Sequence, residues 1–251
     1  MKGLVLALLL VTAPALAAAP PMMKTLLDHM AQGGREPRVG DWVTYQLNGG
    51  GARVHYWRMA VVGEAKDRHG RPALWYEMEL GIHPAMRAPL GQMKVLIARA
   101  ARPGEPHAIS RLITASGFDK PQEYSPEALD FALGEIASTE AKQRATAKPK
   151  APPTMQTGKE TRLMTFAGTL TAVPVELKYR NTVFKRLLMS REVPVVHLAR
   201  IEIPGIQQMM DLYDYGVDAK PRMLMPEPNA PKVQVEYVDE SFPSLPEEST
   251  P

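Results

Sequence analysis

Glu77 and Glu79, two residues apart in PALWYEMELG, are the first pair whose type and spacing could do chemistry. Two carboxylates on one strand face can serve as acid and base. In the same stretch Leu74, Tyr76, Met78 and Leu80 alternate with them. The expected place for the glutamates is therefore the wet side of a half-buried strand. His197, in REVPVVHLARIEIPG, is the second candidate. A period of two puts it on one face with Val195, Ala199, Ile201 and Ile203, and puts Val196, Leu198, Arg200 and Glu202 on the other. A lone histidine there is either a catalyst or a core imidazole held by a backbone carbonyl or a tyrosine, and the core reading is the expectation.

The remaining chemistry is sparse. The six histidines, at 29, 55, 69, 83, 107 and 197, stand singly and form no pair that one element could offer a metal. His69 falls in a turn and His107 is flanked by proline, so both are expected to be solvated. Without cysteine there is no thiol nucleophile and no disulfide framework. There is no G-x-S-x-G, H-E-x-x-H, phosphate loop or dinucleotide fingerprint. MLM at Met223 to Met225 has no His or Cys near it in sequence to make a soft-metal site. The expectation is a protein without catalytic residues, metal or cofactor.

Methionine, with 15 in the chain, points elsewhere. Met78, Met93, Met164 and Met209 fall on faces that alternation makes apolar. Thioethers fill irregular space and adapt to greasy ligands. Tyr76, Met78, Met93, Met164 and Phe166 are thus the expected lining of a groove, with Leu129 and Leu133 as its lid. Two readings stay open: a groove for a ligand, or ordinary core packing. A second candidate surface is basic, with Arg180, Lys185, Arg186 and Arg191 around a turn at Asn181. It is either a solvated hairpin end or a docking patch for an acidic envelope partner or lipid head groups.

The elements that must position these residues read mostly as strands. GQMKVLIARA puts Met93, Val95 and Ile97 on one face. TAVPVELKYR puts Val173, Val175, Leu177 and Tyr179 inside with Glu176, Lys178 and Arg180 outside. KVQVEYV repeats the pattern with Val233, Val235 and Tyr237. Clean alternation is the habit of antiparallel sheets. Asn48 to Gly51 and Asp67 to Arg71 carry the residues of hairpin turns. Two segments break the pattern. Met23, Leu26, Leu27 and Met30 have helical spacing and stop at Gly33. Ser125 and Pro126 open a second helix, striped by Leu129, Leu133 and Ile136 and running towards Ala145. The fold expected is mainly β: a curved antiparallel sheet, an unclosed half-barrel of about ten strands, with one or two helices on its concave side.

Three segments follow along the chain. Residues 1–19 read as a signal peptide, with a lysine, a short apolar run and small residues at A-x-A spacing after which cleavage follows Ala17 or Ala19. The run is too short for a comfortable membrane span. Residues 20–238 read as one β-rich domain, with the helix and a Pro/Lys-rich loop at 125–158. Residues 239–251 read as an acidic, proline-rich, disordered tail. A mature chain of about 230 residues buries roughly 70% of its unfolded surface without disulfides. The formal charge is +3, or +2 once Lys2 leaves with the leader. That near balance carries no nucleic-acid footprint. The expected location is the periplasm.

The order of elements, helix then antiparallel strands then helix and loop then more strands, resembles the unclosed half-barrel of the LolA/LolB-like lipoprotein carriers and receptors. Within it VGDWVTYQL, VVGEAKDRHGRPALWYEMEL, FAGTLTA, SREVPVVHL and MMDLYDYGVDAKP are similar to segments of uncharacterised exported proteins of myxobacteria and their relatives. The resemblance implies that Gly168 turns between strands, Pro194 starts one and Gly216 ends one. It implies a non-catalytic periplasmic binding or carrier protein, or a subunit of a cell-envelope machine, whose groove takes a lipid, a lipidated protein or a partner protein. An enzyme with a dispersed site, or a structural adaptor with a filled core, are the alternatives.

Overall fold

The structure, a computed structural model, describes residues 36–48, 54–99, 109–131 and 154–235. They form β1 (Trp42–Leu47), β2 (His55–Lys66), β3 (Pro72–Gly81), β4 (Gly91–Ala98), β5 (Ile109–Ser116), β6 (Gln122–Glu123), β7 (Thr154–Thr157), β8 (Thr161–Thr165), β9 (Gly168–Tyr179), β10 (Thr182–Met189), β11 (Leu198–Ile203) and β12 (Ile206–Gly216). All pair antiparallel, in the order β6-β5-β4-β3-β2-β1-β12-β11-β10-β9-β7, with β8 on the other half of β9. The ends of that order, β6 and β7, do not meet, so the twelve-stranded sheet is not closed into a barrel.

Local sequence accounts for the turns. Between β2 and β3 the Asp67 carboxylate accepts from the His69 and Arg71 amides at 2.8 Å and from Arg71 Nε at 2.6 Å, while Gly70 takes φ +77°. An Asx-type turn with glycine in the left-handed region is what Asp-x-x-Gly favours. Between β9 and β10, Arg180 and Asn181 both have positive φ, the requirement of a two-residue type I′ hairpin. Pro204 and Gly205 (φ +84°) close β11 onto β12 in the manner of a Pro-Gly type II turn.

Register brings one apolar row across five strands. Val43 lies opposite Met59, Met59 opposite Met78, and Met78 opposite Met93; Tyr76 lies opposite Val95, and Val95 opposite Leu112. The largest buried cluster joins Val43, Tyr45, Met59, Val61, Leu74 and Leu212 to Leu163, Leu170 and Ala172 of the β8–β9 ribbon and to Val193 and Val195 after β10. A second, of Met93, Val95, Leu112 and Leu129, lies towards the β5 side.

Two expectations about strands are corrected, and of the expected helices only a short part is described. No substantial helix lies on either face among the described residues; helical structure there is the single turn 126–131. It begins as the sequence requires, with Ser125 Oγ accepting from the Ala128 amide at 3.1 Å. The segment 132–145, with Leu133, and the expected N-terminal helix at 23–30 lie outside the described residues, as do the leader and the tail. The strand expected through Val195 and His197 starts only at Leu198, because Val195 and His197 both take left-handed φ (+68° and +53°) in a loop at 190–197. Pro194 therefore sits in that loop and starts no strand, whereas Gly168 opens β9 after a turn and Gly216 ends β12. The described part of KVQVEYV, residues 232–235, adds no strand either: Val233 makes one parallel bridge to Tyr124, within a strap, residues 217–235, that crosses the sheet face opposite the apolar row. Tyr237 lies outside the described residues.

Candidate functional site

Two regions compete as the site, one on each face. The first is the apolar row. Tyr76, Met78 and Met93 are brought together by the β3–β4 register, and Tyr76 and Met78 are half-buried links between the two apolar clusters. Trp57 extends the row, its ring 6.0 Å from that of Tyr45. Burial pushes the Tyr76 hydroxyl above its ordinary value. Leu129, the expected lid, is 1% exposed against Met93, Val95 and Leu112.

Met164 and Phe166 do not join this row. In β8 it is Leu163 and Thr165 that point inward, which leaves Met164 77% exposed. Phe166, in the β8–β9 turn, is exposed and lies 5.8 Å from Tyr213, whose ring is 5.1 Å from that of Tyr56. Alternation turns Tyr56 away from the face that carries Trp57 and Met59. The side chain of Met209 lies outside the described residues, and its neighbour Met210 is in the core.

The second region is the face opposite the row, and here the expectation of a wet surface is overturned. Glu77 and Glu79 are 1% and 2% exposed. Each has a cation directly across the strand pair. Glu77 faces Lys94, with Nζ to Oε1 at 2.9 Å; Glu79 faces Arg58, with Nη1 to Oε2 at 3.2 Å. Gln92 Nε2 donates to Glu79 Oε1 at 3.1 Å. The strap supplies the rest. The Arg222 amide donates to Glu77 Oε2 at 2.8 Å and its guanidinium lies 3.3 Å from Glu79, while Nη2 reaches the carbonyls of Ala85 and Met86. Arg58 lies over the Trp42 ring, and Lys94 and Arg111 both lie over Trp75. Desolvation lowers the Arg58 pKa, against the raising effect of Glu79. Chemically this is a compensated charge cluster in which both carboxylates accept from cations. The signal missed in the sequence was Trp75, an indole on the same strand parity as Glu77 and Glu79 and out of place on a wet face.

His197 is buried, with its backbone carbonyl accepting from the Ser190 amide at 2.8 Å, so it closes the 190–197 loop onto β11. The basic residues do not form one patch. Arg180 lies over Tyr179 at the turn, and Arg191 follows the other end of β10, roughly 26 Å away for eight extended residues. Arg186 is shared by Glu176 at 2.8 Å and Glu202 at 3.1 Å, and burial lowers the Lys185 pKa. Among the described residues no group of three or more His, Asp or Glu side chains is placed to hold a metal ion, and no helix is long and apolar enough to cross a membrane. No protein-family model and no curated protein sequence matches the chain.

Proposed function

We propose that the protein is a non-catalytic, exported binding protein, a carrier or a subunit of an envelope machine, which takes an acyl chain on its apolar sheet face. The observation that carries this reading is the half-buried strip of Trp57, Tyr76 and Met78, contiguous with two buried clusters and not closed over by the other described residues. Aromatic and thioether side chains on an apolar surface suit a flexible chain without directional demands. The leader-like start of the sequence supports a periplasmic setting, and the half-barrel likeness supports a lipid or a lipidated protein as the source of the chain. Arg191 and Arg180 are the basic residues left to meet an acidic envelope partner or head groups.

The experiment is a titration of the full chain with a fluorescent fatty acid, beside a Leu129→Ala/Leu133→Ala variant. The variant should bind the probe more tightly while its β circular-dichroism signal stays that of the parent. Native mass spectrometry of the parent should show a co-purifying lipid. A folded variant and a parent that both ignore the probe would remove the carrier. The surviving reading would be a structural adaptor, which the burial of Met93 and Leu129 at one end of the face favours.

A further inference from the structure

We propose that the strap, residues 217–235, is an exchangeable occupant of a peptide-docking site on the charged face. The partner that replaces it is an extended protein segment bearing an arginine followed directly by methionine or leucine. This site lies on the face opposite the apolar row, so it neither needs nor contradicts acyl-chain binding.

The strap is not part of the sheet. It has no regular secondary structure beyond the single Tyr124–Val233 bridge. It is anchored at three places. At its start Asp218 accepts from Trp42 Nε1 at 2.8 Å and the Ala219 amide donates to the Gly40 carbonyl at 2.8 Å. In the middle Arg222 reaches Glu77 and Glu79 while Met223 enters the apolar cluster of Ala60, Val62, Trp75, Leu96 and Ile113. At its far end Val233 exchanges backbone hydrogen bonds with Glu123 and Ser125. Lys220, Leu224 and Met225 between these anchors are exposed. Such a segment opens at far lower free energy than the strands beneath it.

The chemistry of the vacated site dictates what can fill it. Lys94, Arg58 and Gln92 belong to the sheet and stay. Glu77 Oε2 and one contact of Glu79 would lose their donors, and a buried carboxylate left short of a partner is costly. A backbone amide of any extended segment can restore the bond to Glu77, but only a cation restores the contact to Glu79; an arginine supplies both, with the next side chain entering the apolar cluster beside Trp75. While it is tethered, the strap competes at an effective concentration of about millimolar, which holds the site closed to weak partners.

The test uses the full-length chain and a labelled peptide, VDAKPRMLMP, identical to residues 217–226. The parent should bind it only at about millimolar concentration, and an Arg222→Ala/Met223→Ala variant at least about tenfold more tightly, its own strap being weakened. The same peptide with its arginine changed to alanine should not bind the variant. A folded variant that ignores the peptide, or that takes the arginine-free peptide equally well, overturns the proposal. So does a variant that dimerises with rising concentration, which would make the occupant a second copy of the chain. Should the variant fail to fold, hydrogen exchange on the parent decides. Amides of Arg222 and Met223 exchanging about a hundredfold faster than those of Glu77 and Met78 support a releasable strap; exchange in step with β3 overturns it.

Discussion

At the scale of single residues, the glutamates of β3 show how much depends on what faces them across the strand pair. Glu77 and Lys94 are both nearly inaccessible, with side chains 1% and 6% exposed and 2.9 Å apart. Removing one partner leaves the other charged and buried, and losing half of such a pair costs about 3–5 kcal/mol. Glu77→Ala should therefore lower the urea midpoint severely. Glu77→Met/Lys94→Met should recover most of the loss, because a well-packed apolar pair can replace a buried ion pair. A double variant as unstable as the single one would show that the strap amide of Arg222, not the cross-strand cation, is the partner that matters. The Gly40 backbone is just as constrained: at φ +101° a Cβ would lie 2.3 Å from the Val217 carbonyl oxygen, so only glycine lets the strap leave β12 as it does.

At the scale of elements, the β9–β10 hairpin carries a local conflict. Its turn needs positive φ at both central positions, and Arg180 supplies one of them at φ +47°. Asparagine followed by glycine is the preferred pair for that geometry. Arg180→Asn/Asn181→Gly should stabilise the protein by up to about 1–2 kcal/mol, the cost of a non-glycine residue held in the left-handed region, with a rise in Tm of roughly 2–4 °C for each kcal/mol in a domain of this size. A lowered Tm would mean that Arg180 over Tyr179 contributes more than the turn strain costs. The β8–β9 ribbon and the 190–197 loop, among the described residues, supply apolar cover to the sheet. Leu163, Leu170, Val193 and Val195 are side chains that pack on the row of β1 and β2.

At the scale of the whole molecule, ion pairs cross the sheet from one edge to the other. Near β6, Arg111 is paired with Glu123 at 2.7 and 2.8 Å; at β9 to β11, Glu176, Arg186 and Glu202 form a chain. The hydrogen bonds from Arg111 hold the Glu123 carboxyl below the usual range. Those from Arg186 and Lys178 do the same for Glu176. At Asp67 partial desolvation pulls upward and is outweighed by hydrogen bonds from Arg71 and His69. A carboxyl depressed on folding contributes stability that is complete above its unfolded pKa and is lost as pH falls through the folded one. Tm should thus be flat near neutrality and fall from roughly pH 5 towards pH 3. In Arg111→Met the Glu123 share shrinks to what Lys232 at 3.5 Å supplies, so parent and variant should differ most above about pH 5 and converge near pH 3. A gap that stays constant with pH would separate Arg111 from the titration of Glu123.

The sequence by itself determined whatever depends on nearest neighbours along the chain. Alternation marked β3, β4 and β9 and placed Tyr76, Met78 and Met93 on one side. Asp67 to Arg71 and Asn181 announced their turns, and Ser125 its helix cap. These follow from a side-chain period of two and from local hydrogen bonding, which act within a few residues. Only the tertiary structure decided what covers each face. Glu77 is made a core residue by Arg222, 145 positions away, and by register with Lys94, so no local pattern could separate it from a solvated glutamate. Met164 and Phe166 looked apolar and are exposed because Leu163 and Thr165 take the inward positions of β8. His197 lost its place on a strand because the chain must turn before β11, a consequence of where β10 ends. Burial is a property of the partner surface, and in this sheet that surface comes from distant segments without a periodicity of their own.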